Sequence, residues 1–250
     1  MKESKSGRVA IVTGAGSGIG RAIAYRLAAD GMAVAVADIN FAGAKETVAH
    51  IGDGGFDALA VHMDVTDEDS VKVGVEEARQ RFGEVLVAVS NAGITGGGVR
   101  FHDETKDHFL RQLSVHTHGA FHLLRETIGP MREARWGRIV VTASIAATIG
   151  YPGGSSYGAA KGALVGLVRT VALENMSRGV TANCVLPGII ETPVTLGFSA
   201  ERRAKMFSNN PARRPGKPED IAGAVSYLCS DDGNYVTGQS LSPNGGLWFS

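Results

Sequence analysis

The sequence has little sulfur. Two cysteines, Cys184 and Cys229, lie far apart in apolar stretches, Asn183-Cys184-Val185-Leu186 and Tyr227-Leu228-Cys229. That excludes a disulfide framework and a thiolate metal signature, and it predicts two buried free thiols. There is no surplus of either charge, because 25 Lys and Arg balance 25 Asp and Glu. No net field draws the chain toward nucleic acid or an anionic membrane. No run approaches the ~18 apolar residues of a membrane helix. The polar stretch Met1 to Arg8 lacks the apolar core of a signal peptide. The expectation is no nucleic-acid partner, no membrane and a reducing cytoplasm. Repeats, low-complexity tracts and linkers are also missing. A single domain over 1–250 therefore accounts for the chain, and that length buries one core.

Glycine, by contrast, is abundant at 34 residues, about twice the usual ~7% share. The glycines have no period and gather at the ends of apolar runs, where tight turns fall. Those runs read as strands at Arg8–Thr13, Ala33–Ala37, Asp57–Met63, Val85–Val89, Arg138–Thr142, Val180–Leu186 and Gly238–Leu241. Helical periodicity falls between them, at Gly18–Ala29, Phe41–Ile51, Asp67 or Asp69 to Arg81, Thr105–Met131, Tyr157–Asn175 and Pro218–Leu228. Continuous apolar strands alternating with helices predict an α/β protein, its parallel sheet covered on both faces. Pro187–Pro218 is the least regular stretch, with Pro193, Pro211 and Pro215 inside it. A loop that long in a compact domain suggests a substrate lid, at about 188–217.

Thr13-Gly14-Ala15-Gly16-Ser17-Gly18-Ile19-Gly20 joins the first strand to the first helix. Such a turn lets a pyrophosphate approach the main chain at a helix N-terminus. Asp38 ends the second strand, where a carboxylate accepts bonds from an adenosine ribose. It repels a 2′-phosphate by ~1 to 4 kcal/mol, a factor of roughly 5 to 1,000 against NADP. NAD is the expected cofactor.

Tyr157 and Lys161 are four apart on a helix and share a face. A free phenol titrates near pH ~10, so it needs help to act as a base near neutrality. The expectation is that the Lys161 ammonium lowers it. Ser144 ends the fifth strand, where open α/β sheets bind ligands, and its hydroxyl suits a substrate oxygen.

Together these residues resemble the short-chain dehydrogenase/reductase family over the whole chain. The glycine turn matches T-G-x-x-x-G-x-G at Thr13, Gly14, Gly18 and Gly20, with Ser17 and Ile19 between. Asp64-Val65 matches an adenine-contacting pair. Asn91-Ala92-Gly93 matches N-A-G, with Ser90 where a second Asn is usual. Ser144, Tyr157 and Lys161 match the catalytic trio. Pro187-Gly188, Ile190 and Thr192 match a nicotinamide-side loop. The resemblance implies a Rossmann-type, doubly wound parallel sheet of about seven strands and commonly a homotetramer. It implies an NAD-dependent oxidoreductase that interconverts a secondary alcohol and a ketone.

One position departs. The family's fourth catalytic residue, an asparagine in V-N-x-x-G that holds a relay water, aligns with His116 in Val115-His116-Thr117-His118-Gly119. Histidine also bonds water and titrates near neutrality, so His116 is the expected fourth catalytic residue. His118 and His122 share a helical face, but no third ligand accompanies them and no metal is expected. His102 and His108 fall in a polar stretch and read as solvated.

The substrate is less legible. Ile94, Val99, Ile145, Ile149, Tyr151, Val194, Leu196 and Gly96-Gly97-Gly98 suit an apolar small molecule. Met206 and Phe207 either close over it or form a small packed helix. The cluster Arg202, Arg203, Lys205, Arg213 and Arg214 suits a phosphate-bearing thioester carrier or a solvated helix face. The alternative substrate is thus a 3-oxoacyl thioester of acyl carrier protein or coenzyme A. Asp38 favours oxidation of a free secondary alcohol. A non-catalytic NAD-binding protein would break the trio, which is intact.

Overall fold

The computed structural model describes residues 7–96, 98–208 and 210–249. Its strands are β1 (Val9–Thr13), β2 (Ala33–Asp38), β3 (Ala58–His62), β4 (Val85–Ser90), β5 (Gly137–Thr142), β6 (Val180–Val185) and β7 (Ser240–Leu241). The α-helices are α1 (Gly18–Ala29), α2 (Phe41–Asp53), α3 (Glu68–Phe82), α4 (Lys106–Leu113) and α5 (Gly119–Ala134), then α6 (Ala146–Ile149), α7 (Ser155–Asn175), α8 (Pro193–Leu196), α9 (Ala200–Ser208) and α10 (Pro218–Cys229).

The seven strands make one sheet in the order β3-β2-β1-β4-β5-β6-β7, every neighbouring pair parallel. All residues of β1, β5 and β6 are buried, as expected where helices cover both faces. Side chains alternate between two cores. Ile11, Ala35 and Val61 pack with Val71, Leu123 and Leu164 of α3, α5 and α7. Ala10, Val12, Val34 and Val36 pack with Ile23, Leu27, Ile51 and Ile221 of α1, α2 and α10. Each such Leu or Ile contributes roughly 1.5–3 kcal/mol of burial. The winding reverses between β1 and β4, so a crevice opens at their C-terminal ends. The doubly wound α/β reading is what the structure contains.

Two stretches differ from the sequence reading. The helix expected over Thr105–Met131 is broken by a π-helical turn, Ser114–His118, between α4 and α5. One extra residue per turn leaves the apolar period intact on either side, so periodicity does not reveal it. The expected irregular stretch at 188–217 contains α8 and α9, with Met206 and Phe207 on α9. Its ends are tied by Gly216 N–H to Ile189 O (2.9 Å) and Glu191 N–H to Gly216 O (2.8 Å). Among the described residues, no helix is long and apolar enough to cross a membrane. Both cysteines are free and buried.

Candidate active site

The crevice is built first by the turn after β1. A Cβ on Gly20 would stand 2.1 Å from the Gly14 carbonyl oxygen, so only glycine lets α1 start this close to the strand end. Ser17 is the N-cap of α1 and makes no side-chain cap bond, which leaves the first N–H groups for an anion. Ile19 is partly buried against the core on the α1 side.

Asn91 ties three strand ends together. Its N–H and that of Ala92 donate to Thr13 Oγ1 (3.0 and 3.1 Å), and its amide donates to Thr13 O (3.1 Å) and Gly14 O (3.3 Å). Its Oδ1 accepts from Thr142 Oγ1 of β5 at 3.2 Å. The Asp38 carboxylate rests on the glycine turn, accepting from Gly16 N–H and Asn40 N–H, each at 2.8 Å. Arg21, on α1, is engaged by Thr47, Glu46 and the Gly16 carbonyl. Asp64 Oδ1 holds Thr66 N–H and Oγ1, and Val65 lies against Gly119 at the start of α5. Gly14, Ser17, Asp38, Asp64, Val65, Asn91, Ala92 and Gly93 all line one cavity of about 760 Å³. A turn that excludes Cβ atoms, free helix N–H groups and a strand-end carboxylate fit a nicotinamide dinucleotide.

The loop after β6 closes toward the same place. Pro187 O accepts from Ile145 N–H (3.3 Å), Gly188 packs against Asn244, and buried Ile190 pairs with Gly216. Thr192 caps α8, and its methyl lies 3.6 Å from where a Gly18 Cβ would stand.

Ser144 follows β5 and its Oγ accepts from Ala146 N–H (3.1 Å), opening α6. Tyr157 sits in the first turn of α7, where the Ser144 hydroxyl acts on its phenol in favour of the phenolate. Lys161, one turn on, is 4% exposed and donates from Nζ to Thr142 O at 2.7 Å. Burial holds the Lys161 ammonium down to about 7. Burial also pushes the Tyr157 phenol up, opposed only by the Ser144 hydroxyl. The expected lowering by Lys161 is therefore not what this arrangement gives. The ammonium lies 5.7 Å from the ring centroid and is itself disfavoured by burial.

His116 lies in the π-turn, edge-on to Tyr157 with ring centroids 5.4 Å apart. Its Nε2–H donates to Ile94 O (3.1 Å), while its buried Nδ1 has no partner among the described residues. Burial, with Lys161 nearby, holds its pKa down to about 3. The expected titration near neutrality is corrected: His116 is a neutral ring of fixed tautomer.

Other residues fall elsewhere. His122 Nδ1 donates to Val65 O (3.0 Å), and His118 lies 6.5 Å from it between ring centroids. His108, read as solvated, bonds Glu104 Oε1 at 2.5 Å. Arg214 is paired with Asp220 (2.8 Å), and the side chains of Arg202, Lys205, Met206 and Val194 lie outside the described residues, as does Gly97. Sequence reasoning missed Thr142 and Gln112, and took Tyr151 only as apolar lining. A polar residue at an inward helical position, Gln112 on α4, was the one local signal.

A glycine turn, a strand-end acid and a Ser-Tyr-Lys array around one crevice define a nicotinamide-dependent oxidoreductase. The chain belongs to the short-chain dehydrogenase/reductase family. A family model described as enoyl-(acyl carrier protein) reductase matches residues 14–248. The chain is 39% identical to a 3-oxoacyl-[acyl-carrier-protein] reductase of Salmonella typhimurium over 249 residues, covering 98% of this chain and 99% of the relative. It is 38% identical to the enzyme of that name in Escherichia coli (97% and 98% covered). For that of Haemophilus influenzae the identity is 37% (98% and 99% covered).

Proposed function

We propose that the chain, as one domain, is an NAD(H)-dependent reductase that converts the 3-oxo group of an acyl thioester to a hydroxyl. The observation that carries the reading is the Tyr157 ring beside the buried Lys161 ammonium, 5.7 Å from the ring centroid, with the Ser144 hydroxyl acting on the phenol. The bound nicotinamide supplies or accepts the hydride. Ser144 holds and polarises the substrate oxygen. Tyr157 gives its proton to that oxygen in reduction and takes it back in oxidation. Lys161 binds the nicotinamide ribose and, once its ammonium has that partner, favours the phenolate. The relatives' named substrate moves the reading from a free alcohol to a thioester. Asp38 keeps NAD-linked oxidation of a free secondary alcohol as the second reading.

The test is the absorbance of reduced nicotinamide with acetoacetyl-coenzyme A, a 3-oxoacyl carrier protein and a panel of free ketones. A thioester should exceed any free ketone by at least about tenfold in kcat/KM, one decade being ~1.4 kcal/mol. Turnover of free ketones alone would remove the thioester reading and leave the second. Cytoplasmic placement agrees with two buried free thiols. A homotetramer is proposed on the family resemblance alone.

The cofactor choice is assigned to Asp38. Asp38→Ser should raise kcat/KM with NADPH relative to NADH by a factor of ~5 to 1,000, the range set by the charge removed. An unchanged ratio would take cofactor selection away from Asp38.

His116 is proposed as the relay residue through its Nδ1 lone pair, which can accept from a water that also reaches Lys161. A ring neutral above pH about 3 contributes no inflection to kcat near neutrality. His116→Asn should retain more of kcat than His116→Ala, by a few-fold. An Ala variant matching the unmodified enzyme at every pH would end the relay idea.

A further inference from the structure

Three successive carbonyls beside the catalytic tyrosine are each held by a side chain from a different element. Ile94 O accepts from His116 Nε2 in the π-turn (3.1 Å). Thr95 O accepts from Gln112 Nε2 of α4 (3.0 Å). Gly96 O accepts from the hydroxyl of Tyr151, between α6 and α7. Loops seldom have every successive acceptor met by a distant side chain, since most such groups bond water or neighbouring backbone. This strap is thus fixed at each residue.

Its position matters because of what lies beneath. A Cβ on Gly96 would stand 2.3 Å from Tyr157 Cβ, so the strap lies flat on the tyrosine and closes that flank of it. The α6–α7 loop packs back on the strap, with a Gly153 Cβ position 3.2 Å from Gly98 N. Beyond it lies a cavity of about 620 Å³ lined by Arg100, Phe101, Ala147, Tyr151 and Ser155. Tyr151 stands between Tyr157 and this cavity, its ring edge-on to Tyr157 at 6.3 Å.

The three tethers are not alike. Gln112 and His116 are 1% and 3% exposed, so water cannot replace their bonds; Tyr151 is 41% exposed at the rim. We propose that Tyr151 is a specificity-determining residue: by holding Gly96 it keeps the entrance to Tyr157 narrow. It admits carbonyl substrates unbranched at the adjacent carbon and rejects branched or cyclic ones. Burial and the neighbouring Tyr157 push the Tyr151 phenol up to about 12, so it stays a donor through any ordinary assay pH.

The inference rests on the keto-reductase reading for its substrates but not for its geometry, and two readouts separate them. Tyr151→Phe keeps the ring and removes the donor. Backbone hydrogen exchange across 91–101 should become at least about fivefold faster in the variant. In parallel, kcat/KM for a 2-methyl-3-oxoacyl thioester, relative to its unbranched parent, should rise about tenfold. That gain should appear in KM for the branched substrate. Unchanged exchange, or an unchanged substrate ratio in an active enzyme, overturns the proposal. If the unmodified enzyme reduces no carbonyl compound, the functional reading falls, and the tether is then decided by the exchange result alone.

Discussion

Phenylalanine at position 157 should reduce turnover on the order of 10²- to 10⁴-fold, the usual worth of a positioned acid or base. Binding of the nicotinamide cofactor should stay within a few-fold of the unmodified enzyme. The ring's packing survives the change. Its edge contacts with His116 and Tyr151, and the strap residue Gly96 lying on it, involve ring carbons and not the hydroxyl. What disappears is the proposed proton carrier facing the Ser144 hydroxyl. Ser144 can still orient a substrate oxygen but has no neighbouring base to return its proton. Single-turnover absorbance reads the chemistry, and cofactor fluorescence titration reads the binding. Unimpaired turnover in this variant would sink the assignment of Tyr157.

Lys161→Met should remove activity to a similar degree and yet make the cofactor-free protein more stable. In the fold Lys161 titrates at about 7, against the ordinary 10.5. Its folded pKa is lowered, so the unfolded chain holds the extra proton between those values. Stability therefore rises with pH from about 7 toward 10.5, and the burden is complete below 7. At pH 7 that burden is on the order of 4 kcal/mol, since each pKa unit is worth about 1.4 kcal/mol. Losing the donor to Thr142 O returns about 1 kcal/mol of it. A net gain of about 3 kcal/mol corresponds to a rise of roughly 6–12 °C in Tm. The gain should be largest at pH 6 and fade toward pH 10. Thermal melts at both values check it; a lower Tm at pH 6 would contradict the burial argument. The lysine is then a site of functional strain, where a stable fold gives up stability for chemistry.

The sequence revealed what is local in the chain. β1, its glycine turn and α1 follow one another directly, so spacing alone placed Gly14, Ser17, Gly18 and Gly20. Tyr157 and Lys161 share one helix, and Ser144 stands two residues past the end of β5. Asp38 was legible for the same reason, as the last residue of β2. What stayed hidden depends on contacts between distant segments. The π-turn shifts His116 inward without disturbing the apolar period, so its neutral, buried state could not be read from Val115-His116-Thr117. The Lys161 burial comes from α7 packing on β6 and α4 and reaching the end of β5. The strap needs residues 94–96, 112, 116 and 151 to meet. Substrate was hardest to read, because Asp38 speaks to the cofactor and not to what the rim admits.

Thr142, the last residue of β5, faces two ways. Its hydroxyl supports Asn91, which braces the cofactor turn, and its carbonyl receives Lys161. One residue is thus common ground between the proposed dinucleotide site and the proposed proton-transfer site. Neither half can be redesigned as an independent module. A graft that carries the glycine turn and Asn91 into another scaffold, but not the end of β5, would lose the lysine's anchor. In the other direction, a swapped catalytic helix would pull on the turn it never touches.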